Sequence, residues 1–444
     1  MTPLRRRELA RWYELIAHPV QLALLNAVPS GIRFPVVPAG RRSGKTERAK
    51  RFLAKQAFTH SNEMYFAGAP TREQAKRIYW EDLKLLTLSS SHTRKPLETD
   101  LRIYLPNGST IQVIGLDEPK RIEGTPWTGG VIDEIADIKP ASVQENIMPA
   151  LNTVDPRRPD FRPWCWFLGV PDGLNHYYDM AQLAESGTNP DYALYTWKSA
   201  EILPPDIIEA AKRTMGRKQY LQEYEASFET ASGRIYEDYG KHNLTNERIQ
   251  SHEQLLWYHD FNYTPLSSGI GVRRGNSVYL MSDIILTSAV AKQSALEFVE
   301  RYRDHKNKKV LIYGDPAGRA GEKHGHASDY TEIESVLRSH GWSFERKVKM
   351  STRSIKDGQN AVRAKILNAA GETSLFVNPE TAKFTHQALS RVQLKKGSRD
   401  GTKAGSTFLE DDSDEHQHIA TAIRYMVDFD WPVLGSGVGQ GGMT

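Results

Sequence analysis

The sequence contains a single cysteine, Cys165, among 444 residues. A lone cysteine cannot form an internal disulfide, so a fold stapled by disulfides is excluded and a reducing cytosol is expected. No apolar run approaches the ~18 residues that a transmembrane helix needs. The N-terminal residues 1–11 are basic, but no apolar signal core follows them. These absences predict a cytosolic protein without a membrane segment.

The chain also has little excess charge, with 58 Lys and Arg against 54 Asp and Glu and a formal net charge of +4. This balance permits nucleic-acid binding but does not by itself argue for it. The length exceeds what one ordinary hydrophobic core organises, so we expect two domains.

Residues 39–46 read Ala-Gly-Arg-Arg-Ser-Gly-Lys-Thr and form the most informative stretch of the chain. An apolar run at 34–37 precedes it, and a helical pattern at 47–58 follows it. Backbone N–H groups around Gly44 can wrap a phosphate chain at a helix N-terminus. Lys45 would reach the β- and γ-phosphates, and the Thr46 hydroxyl would hold Mg²⁺. The strict pattern has Gly where this chain has Ala39, so the match depends on the Gly-Lys-Thr end and its context.

A pair of acids, Asp133 and Glu134, ends the short apolar run 129–132. In ATPases the first such acid holds the Mg²⁺ shell and the second polarises the attacking water. Alone, the pair could equally be two solvated acids at a strand end. Because it follows a phosphate-binding loop by about ninety residues, the ATPase interpretation is favoured.

Strand-like and helix-like segments alternate through the first half of the chain. Residues 101–114 alternate in polarity around Asn107-Gly108, which predicts a β-hairpin. A further strand at 164–170 ends in Pro171-Asp172-Gly173. This pattern predicts a P-loop ATPase domain of the RecA/ASCE type with a mostly parallel, doubly wound sheet. Ligands of such sheets bind at the carboxyl ends of the strands.

In the second half, acids again follow apolar strands, at Asp260 and at Asp315. A buried lone carboxylate is costly unless it is paired or binds a metal. Three strands, a helix and a strand that ends in an acid are the order of ribonuclease-H-like nucleases. The sequence therefore predicts a mixed α/β nuclease domain with a two-metal site for Mg²⁺, with Mn²⁺ as a substitute. For each acid the alternative is a carboxylate that only caps a turn.

A third metal ligand is expected near the start of the C-terminal helix. Asp414 and His418 are four residues apart, and Thr421 lies one turn further on the same face. We favour Asp414 as the metal ligand, with His418 beside it and Asp411 as the alternative ligand. The alternative is an acidic run that only complements a helix dipole.

Several motifs occur in an order that resembles the large terminase subunits of tailed bacteriophages, over most of residues 15–235. They are Gln21, the loop at 39–46, Ala69-Pro70-Thr71, the hairpin turn at 106–109, residues 121–124, Asp133-Glu134 and residues 171–173. The ending His-x-Ala-x-Ala-x-Arg-Tyr at 418–425 resembles the last motif of that family. Many relatives have an Asp where this chain has Thr421, so that ligand cannot be carried over.

The resemblance also implies roles for single residues. Gln21 would contact adenine, although a surface glutamine in a helix is an equally good reading. Arg121 would be the arginine finger, acting in the same or a neighbouring subunit, with Arg41 and Arg42 as alternatives. Residues 171–173 would couple hydrolysis to movement. Independently of the resemblance, the basic side chains at Lys356, Arg363 and Lys365, and at 395–403, are candidate phosphate contacts.

By this resemblance the chain would translocate double-stranded DNA into procapsids and cut concatemeric DNA. Its partners would be DNA, a portal protein and a small terminase subunit. It would form a homo-oligomeric ring during packaging, with a monomer in solution as the alternative state. It would act in the host cytoplasm, docked on the procapsid. Two other readings stay open, a cellular ATPase–nuclease of DNA repair and an ATPase scaffold whose nuclease fold is inactive.

The predicted domains are 1–232 for the ATPase, 233–431 for the nuclease and 432–444 for a glycine-rich tail. The predicted catalytic residues are Glu134, Arg121, Asp260, Asp315 and Asp414. The predicted nucleotide-binding residues are Gln21, Arg41, Arg42, Ser43, Gly44, Lys45, Thr46 and Asp133. The predicted metal ligands are Thr46, Asp133, Asp260, Asp315, Asp414 and His418.

Overall fold

The computed structural model describes residues 3–88, 94–152, 154, 159–229, 234–261, 266–287, 289–319, 328–350, 354–393 and 417–433. The chain forms two compact units. The first comprises Met1–Ile208 and Leu221–Thr230, and the second comprises Glu209–Tyr220 and Ala231–Thr444. The segment Glu209–Tyr220, which lies inside the predicted first domain, thus groups with the second unit.

The helices of the described chain are α1 (Pro3–Ala10), α2 (Pro19–Leu25), α3 (Lys45–Thr59), α4 (Arg72–Ala75), α5 (Glu81–Leu86), α6 (Pro140–Ser142), α7 (Met148–Ala150), α8 (His176–Ser186), α9 (Pro205–Thr214), α10 (Arg217–Glu223), α11 (Ala291–Arg301), α12 (Asp329–Ser339), α13 (Ile355–Ile366), α14 (Lys383–Arg391) and α15 (Gln417–Asp430). Within these described residues, no helix is long and apolar enough to cross a membrane.

The strands of the described chain are β1 (Phe34–Pro38), β2 (Met64–Ala69), β3 (Arg102–Tyr104), β4 (Thr110–Gly115), β5 (Gly129–Ile132), β6 (Trp164–Gly169), β7 (Tyr192–Leu194), β8 (Leu255–Asp260), β9 (Leu266–Arg274), β10 (Ser277–Leu286), β11 (Lys309–Gly314), β12 (Ser343–Lys347) and β13 (Leu375–Val377).

Strands β1 to β7 form one sheet in the order β3-β4-β2-β5-β6-β1-β7. All neighbours are parallel except β3 and β4, which make the predicted antiparallel hairpin. The central strands β1, β5 and β6 are buried along their whole length, as expected for strands covered on both faces. Two apolar clusters, one containing Val37 and the other Val36, fill these faces. The predicted mostly parallel ATPase-type sheet is confirmed.

Strands β8 to β13 form a mixed sheet in the order β12-β11-β8-β9-β10-β13. The first three strands along the chain, β8 to β10, are an antiparallel meander. Strand β11, which follows α11, pairs in parallel with β8. This is the predicted order of a ribonuclease-H-like fold, and the mixed α/β assignment of the second half is confirmed. A core around Trp257 and Phe298 packs under α11 and α12.

Candidate active sites of the two units

The phosphate-binding loop joins β1 to α3 in the first unit. Helix α3 begins at Lys45, directly after Gly44, whose φ is 86°. Arg42 also has a positive φ, 56°. Ala39 does not have a positive φ, and it pairs with Trp197 through a parallel bridge. An alanine is therefore tolerated where the strict motif has glycine, because this position does not use the left-handed region.

Lys45 lies beneath the loop with only 8% of its surface exposed. Its Nζ donates to the Ala39 carbonyl at 3.3 Å and to the Gly40 carbonyl at 3.4 Å. Burial lowers the pKa of Lys45, while the carboxylates of Asp133 and Glu134 oppose that effect. An ammonium group in this position, at the N-terminus of α3, favours a bound phosphate chain.

The acid pair meets the loop at its hydroxyl residue. Thr46 Oγ1 donates to Asp133 Oδ2 at 2.5 Å. Strands β1 and β5 are separated by β6 in the sheet, so both segments emerge at the same edge. A hydroxyl and a carboxylate are the hard oxygen ligands that suit Mg²⁺, so this pair fits the ion.

Glu134 follows with a φ of 56°. Desolvation of its carboxyl group, with the nearby charges of Asp133 and Asp137, raises the pKa of Glu134 to about 7. A backbone in a rarely populated region together with a shifted acid is typical of a functional position.

Three arginines were predicted as candidates for the arginine finger of the ATPase. Arg41 forms an ion pair with Glu223, and Arg42 is exposed on the loop. Arg121 lies on the short 3₁₀ turn Pro119–Ile122 that follows β4. It pairs with Asp117 at 3.7 Å and with Glu118 at 2.7 Å, and its side chain is 40% exposed. The assignment of the finger therefore stays a prediction.

Gln21 lies against the loop, on α2. It is 3% exposed, so it is not the surface glutamine of the alternative reading. Its Nε2 donates to the Ser43 carbonyl at 2.8 Å, and its Oε1 accepts from Arg48 Nε at 2.8 Å. Contact with adenine stays a prediction, but Gln21 is a neighbour of the nucleotide loop.

Sequence reasoning missed the residues that support this loop from later in the chain. Trp197 Nε1 donates to the Ser43 carbonyl at 3.1 Å, and Ser199 Oγ donates to the Arg41 carbonyl at 2.8 Å. They follow β7, which pairs with β1. No local pattern marks these side chains, since their role arises only when the sheet forms.

The turn after β6 is physically linked to the turn after the acid pair. Asn175 caps α8 by accepting from the Tyr177 and Tyr178 amides, and its Nδ2 donates to the Ala136 carbonyl at 3.3 Å. His176 Nε2 lies 3.0 Å from the Ile135 carbonyl. Because β6 lies between β1 and β5, residues 171–173 emerge between the loop and Glu134.

In the second unit, Asp260 and Asp315 emerge at one edge of the sheet. Asp260 is the last residue of β8, and Asp315 follows the last residue of β11. The two strands are parallel, with Gly314 opposite His259, so the acids come out side by side. Asp260 is 6% exposed, and its Oδ2 lies 3.0 Å from His418 Nδ1 on α15.

Asp315 is held by its own turn and by α15. Its Oδ1 accepts from the Ala317 amide at 2.8 Å, and its carbonyl accepts from the Tyr330 hydroxyl at 2.8 Å. Tyr425 of α15 lies close enough to both acids for their charges to act on its hydroxyl group. Burial raises the pKa of Tyr425, and the charges of Asp315 and Asp260 raise it further. The acids and α15 thus form one electrostatic cluster.

The carboxylates of Asp260 and Asp315 are the hard oxygen ligands that suit a divalent cation such as Mg²⁺ or Mn²⁺. Within the described part of the chain, no three side chains of His, Cys, Asp or Glu are grouped as a metal site. Asp414 and Asp411 lie outside the described residues. Thr421 is buried on α15, and the third ligand stays a prediction.

Two of the candidate phosphate contacts on α13 point into the fold. Arg363 Nε donates to the Ile235 carbonyl at 2.8 Å. Lys365 is 7% exposed, and its Nζ donates to the Asn276 carbonyl at 2.7 Å. Both therefore support the second unit from inside, which contradicts their predicted contact with phosphate. The basic residues at 395–403 lie outside the described residues.

No family model matches the chain. It is 24% identical over 225 residues to the large terminase subunit of Escherichia phage T5, a match that spans 49% of each protein. The match thus covers about half the length of that curated relative.

The structure resembles the large terminase of a thermophilic bacteriophage with a TM-score of 0.58 and 16% identity, covering 93% of this chain and 99% of that one. The same bacteriophage protein in complex with ADP is matched with a TM-score of 0.54 and 16% identity, over 96% of this chain and 98% of that one. The likeness extends over both units, and the chain therefore has the two-unit fold of the bacteriophage large terminases.

Proposed function

We propose that this chain is a viral large terminase, which drives double-stranded DNA into procapsids with ATP and cuts concatemeric DNA with a metal-dependent endonuclease site. The observation that carries the proposal is the contact between Thr46 and Asp133 at 2.5 Å below a phosphate-binding loop. The same chain also carries the carboxylate pair Asp260 and Asp315 at the edge of a nuclease-type sheet.

In the first unit each residue has a defined task. Lys45 and the backbone N–H groups at the start of α3 bind the phosphate chain of ATP. Thr46 and Asp133 would hold Mg²⁺, which supplies positive charge to the β- and γ-phosphates when bound. Glu134, whose pKa is raised to about 7, orients the attacking water and accepts its proton. Gln21 holds the loop through the Ser43 carbonyl.

In the second unit Asp260 and Asp315 would hold divalent cations, with Asp414 and His418 as further candidates. Such cations activate water and stabilise the leaving oxygen of a phosphodiester when bound. His418 would orient Asp260, and the Ala317 amide would orient Asp315, through the contacts described above. This orientation is what a preorganised nuclease site requires.

The proposed partners are double-stranded DNA, a portal protein and a small terminase subunit. A homo-oligomeric ring would work on the procapsid in the host cytoplasm. The proposal draws support from the relatives in phage T5 and in the thermophilic bacteriophage, both of which are large terminases.

ATP turnover with and without linear duplex DNA tests the motor assignment. We expect Lys45→Ala to reduce turnover by at least a hundredfold, because the variant loses the buried ammonium that lies beneath the phosphate-binding loop. The matched control is Lys55→Ala, which changes an exposed lysine on the same helix and should turn over ATP as wild type does. Equal turnover by both variants would contradict the motor assignment.

A further inference from the structure

A cleft beside Asp315 carries several cationic groups that the proposed chemistry has not used. The cleft is lined by Gly314 and Pro316, which flank Asp315, and by Tyr425. Gly314 is also the last residue of β11, directly before Asp315. The cleft is therefore continuous with the carboxylate edge of the second unit.

Among the described residues, three cationic side chains and one carboxylate, that of Asp428, line the cleft. The cations are Lys347, Lys349 and Arg424. Lys349 Nζ donates to Asp428 Oδ2 at 2.6 Å and to the Asp428 carbonyl at 2.7 Å, which fixes that ammonium in place. Lys347 Nζ also pairs with Glu345 Oε1 at 2.5 Å, so the positive charge of the described lining exceeds the negative charge around it by about one.

Arg424 is built into the wall of the cleft. It is 7% exposed and passes over Gly358 in the first turn of α13. A Cβ at Gly358 would lie 2.7 Å from Arg424 Cγ and 3.0 Å from its Cδ. The missing side chain at Gly358 thus makes room for the arginine. A mostly buried, planar guanidinium that borders a cleft suits an oxyanion such as phosphate, because it can donate to two of its oxygens.

We propose that this cleft binds a phosphodiester of the DNA strand being cut, next to the one that Asp260 and Asp315 attack. The assignment rests on the proposed nuclease function of those two acids. A free phosphate ion has the same oxyanion chemistry, but the continuity of the cleft with Asp315 favours a DNA backbone. Contacts of this kind position the strand and carry no base specificity.

Binding of a 30-bp duplex to the full chain without divalent metal, measured by fluorescence anisotropy from 50 to 300 mM NaCl, tests the cleft. Lys347→Gln changes a side chain that is 29% exposed, so it should fold. Arg424→Lys keeps the charge but loses the two-pronged geometry. The matched control is Lys292→Gln, which removes the same charge from an exposed site on α11.

We expect Lys347→Gln to weaken binding roughly three- to tenfold at 100 mM salt and to reduce the slope of log K against log salt by about 0.9. Arg424→Lys should raise the KM of plasmid cleavage while kcat changes less. The proposal fails if both variants match Lys292→Gln in affinity, slope and KM. The melting temperature of the chain with and without inorganic phosphate is the second measurement. The proposal also fails if Lys347→Gln changes only the increase in melting temperature that phosphate gives and leaves the affinity for the duplex unchanged.

Failure of the nuclease assignment gives a different result. In that case wild type does not cleave plasmid, or Asp260→Ala and Asp315→Ala cleave as well as wild type does. If those two variants lose cleavage and the cleft variants behave as the control, only the cleft assignment is overturned.

Discussion

His259 provides a sharp test of how the second unit is packed. Its ring is fully buried, and both ring nitrogens lack a hydrogen-bond partner among the described residues. It lies on one face of β8 between Trp257, at 4.3 Å between ring centroids, and Phe261, at 5.1 Å. Burial lowers the pKa of His259 to about 3.

A depressed pKa makes stability depend on pH in a defined direction. Below about pH 6.5 the unfolded chain protonates this histidine, whereas the folded chain does not until the pH approaches about 3. The unfolded state then binds more protons than the folded state. The contribution of His259 to stability is therefore fully present above pH 6.5 and is lost as the pH decreases. At pH 5.0 the loss from this residue is about 2 kcal/mol, and at pH 7.5 it is close to zero.

His259→Leu has similar volume and cannot titrate, so it should remove this loss. We expect the stability of the variant relative to wild type to increase by about 2 kcal/mol from pH 7.5 to pH 5.0. Pulse proteolysis in urea, scored on fragments of the second unit, measures this quantity. His252→Leu, at an exposed position, is the control. An equal change with pH in both variants would refute the reasoning.

Two further predictions concern the first unit. A Cβ at Gly40 would lie 2.5 Å from the Ser199 amide nitrogen, so Gly40→Ala should displace the loop and raise the KM for ATP at least tenfold. Ala39→Gly should leave this KM within twofold, and a large effect there would contradict the backbone argument. Asn175→Ala removes the cap of α8 and should cost about 1 kcal/mol in urea unfolding; unchanged stability would show that the cap is dispensable.

Local sequence signals were sufficient where one segment carries the whole chemistry. The loop at 39–46 depends on a strand, a turn and a helix that are contiguous, and the hairpin at 101–114 depends on Asn107-Gly108. Asp260 and Asp315 were found because an acid at the end of an apolar strand conflicts with burial. The order of strands and helices along the chain predicted a mostly parallel sheet in the first half and a mixed α/β domain in the second.

Residues that act through distant packing could not be predicted. Trp197 and Ser199 reach the loop only because β7 pairs with β1. Arg363 and Lys365 were predicted to contact phosphate because they are basic residues on a predicted helix, yet they donate to carbonyls inside the second unit. Charge alone does not reveal which face of a helix is covered.

Cleavage of supercoiled plasmid in Mn²⁺ without ATP tests the central claim most directly. Wild type, Asp260→Ala and Asp315→Ala are compared, with Asp304→Ala as the control because Asp304 is exposed at 94% of its side chain. The account predicts cleavage by wild type and by the control, and none by the other two variants. Cleavage by all four proteins, or by none over a range of divalent metals, would contradict it.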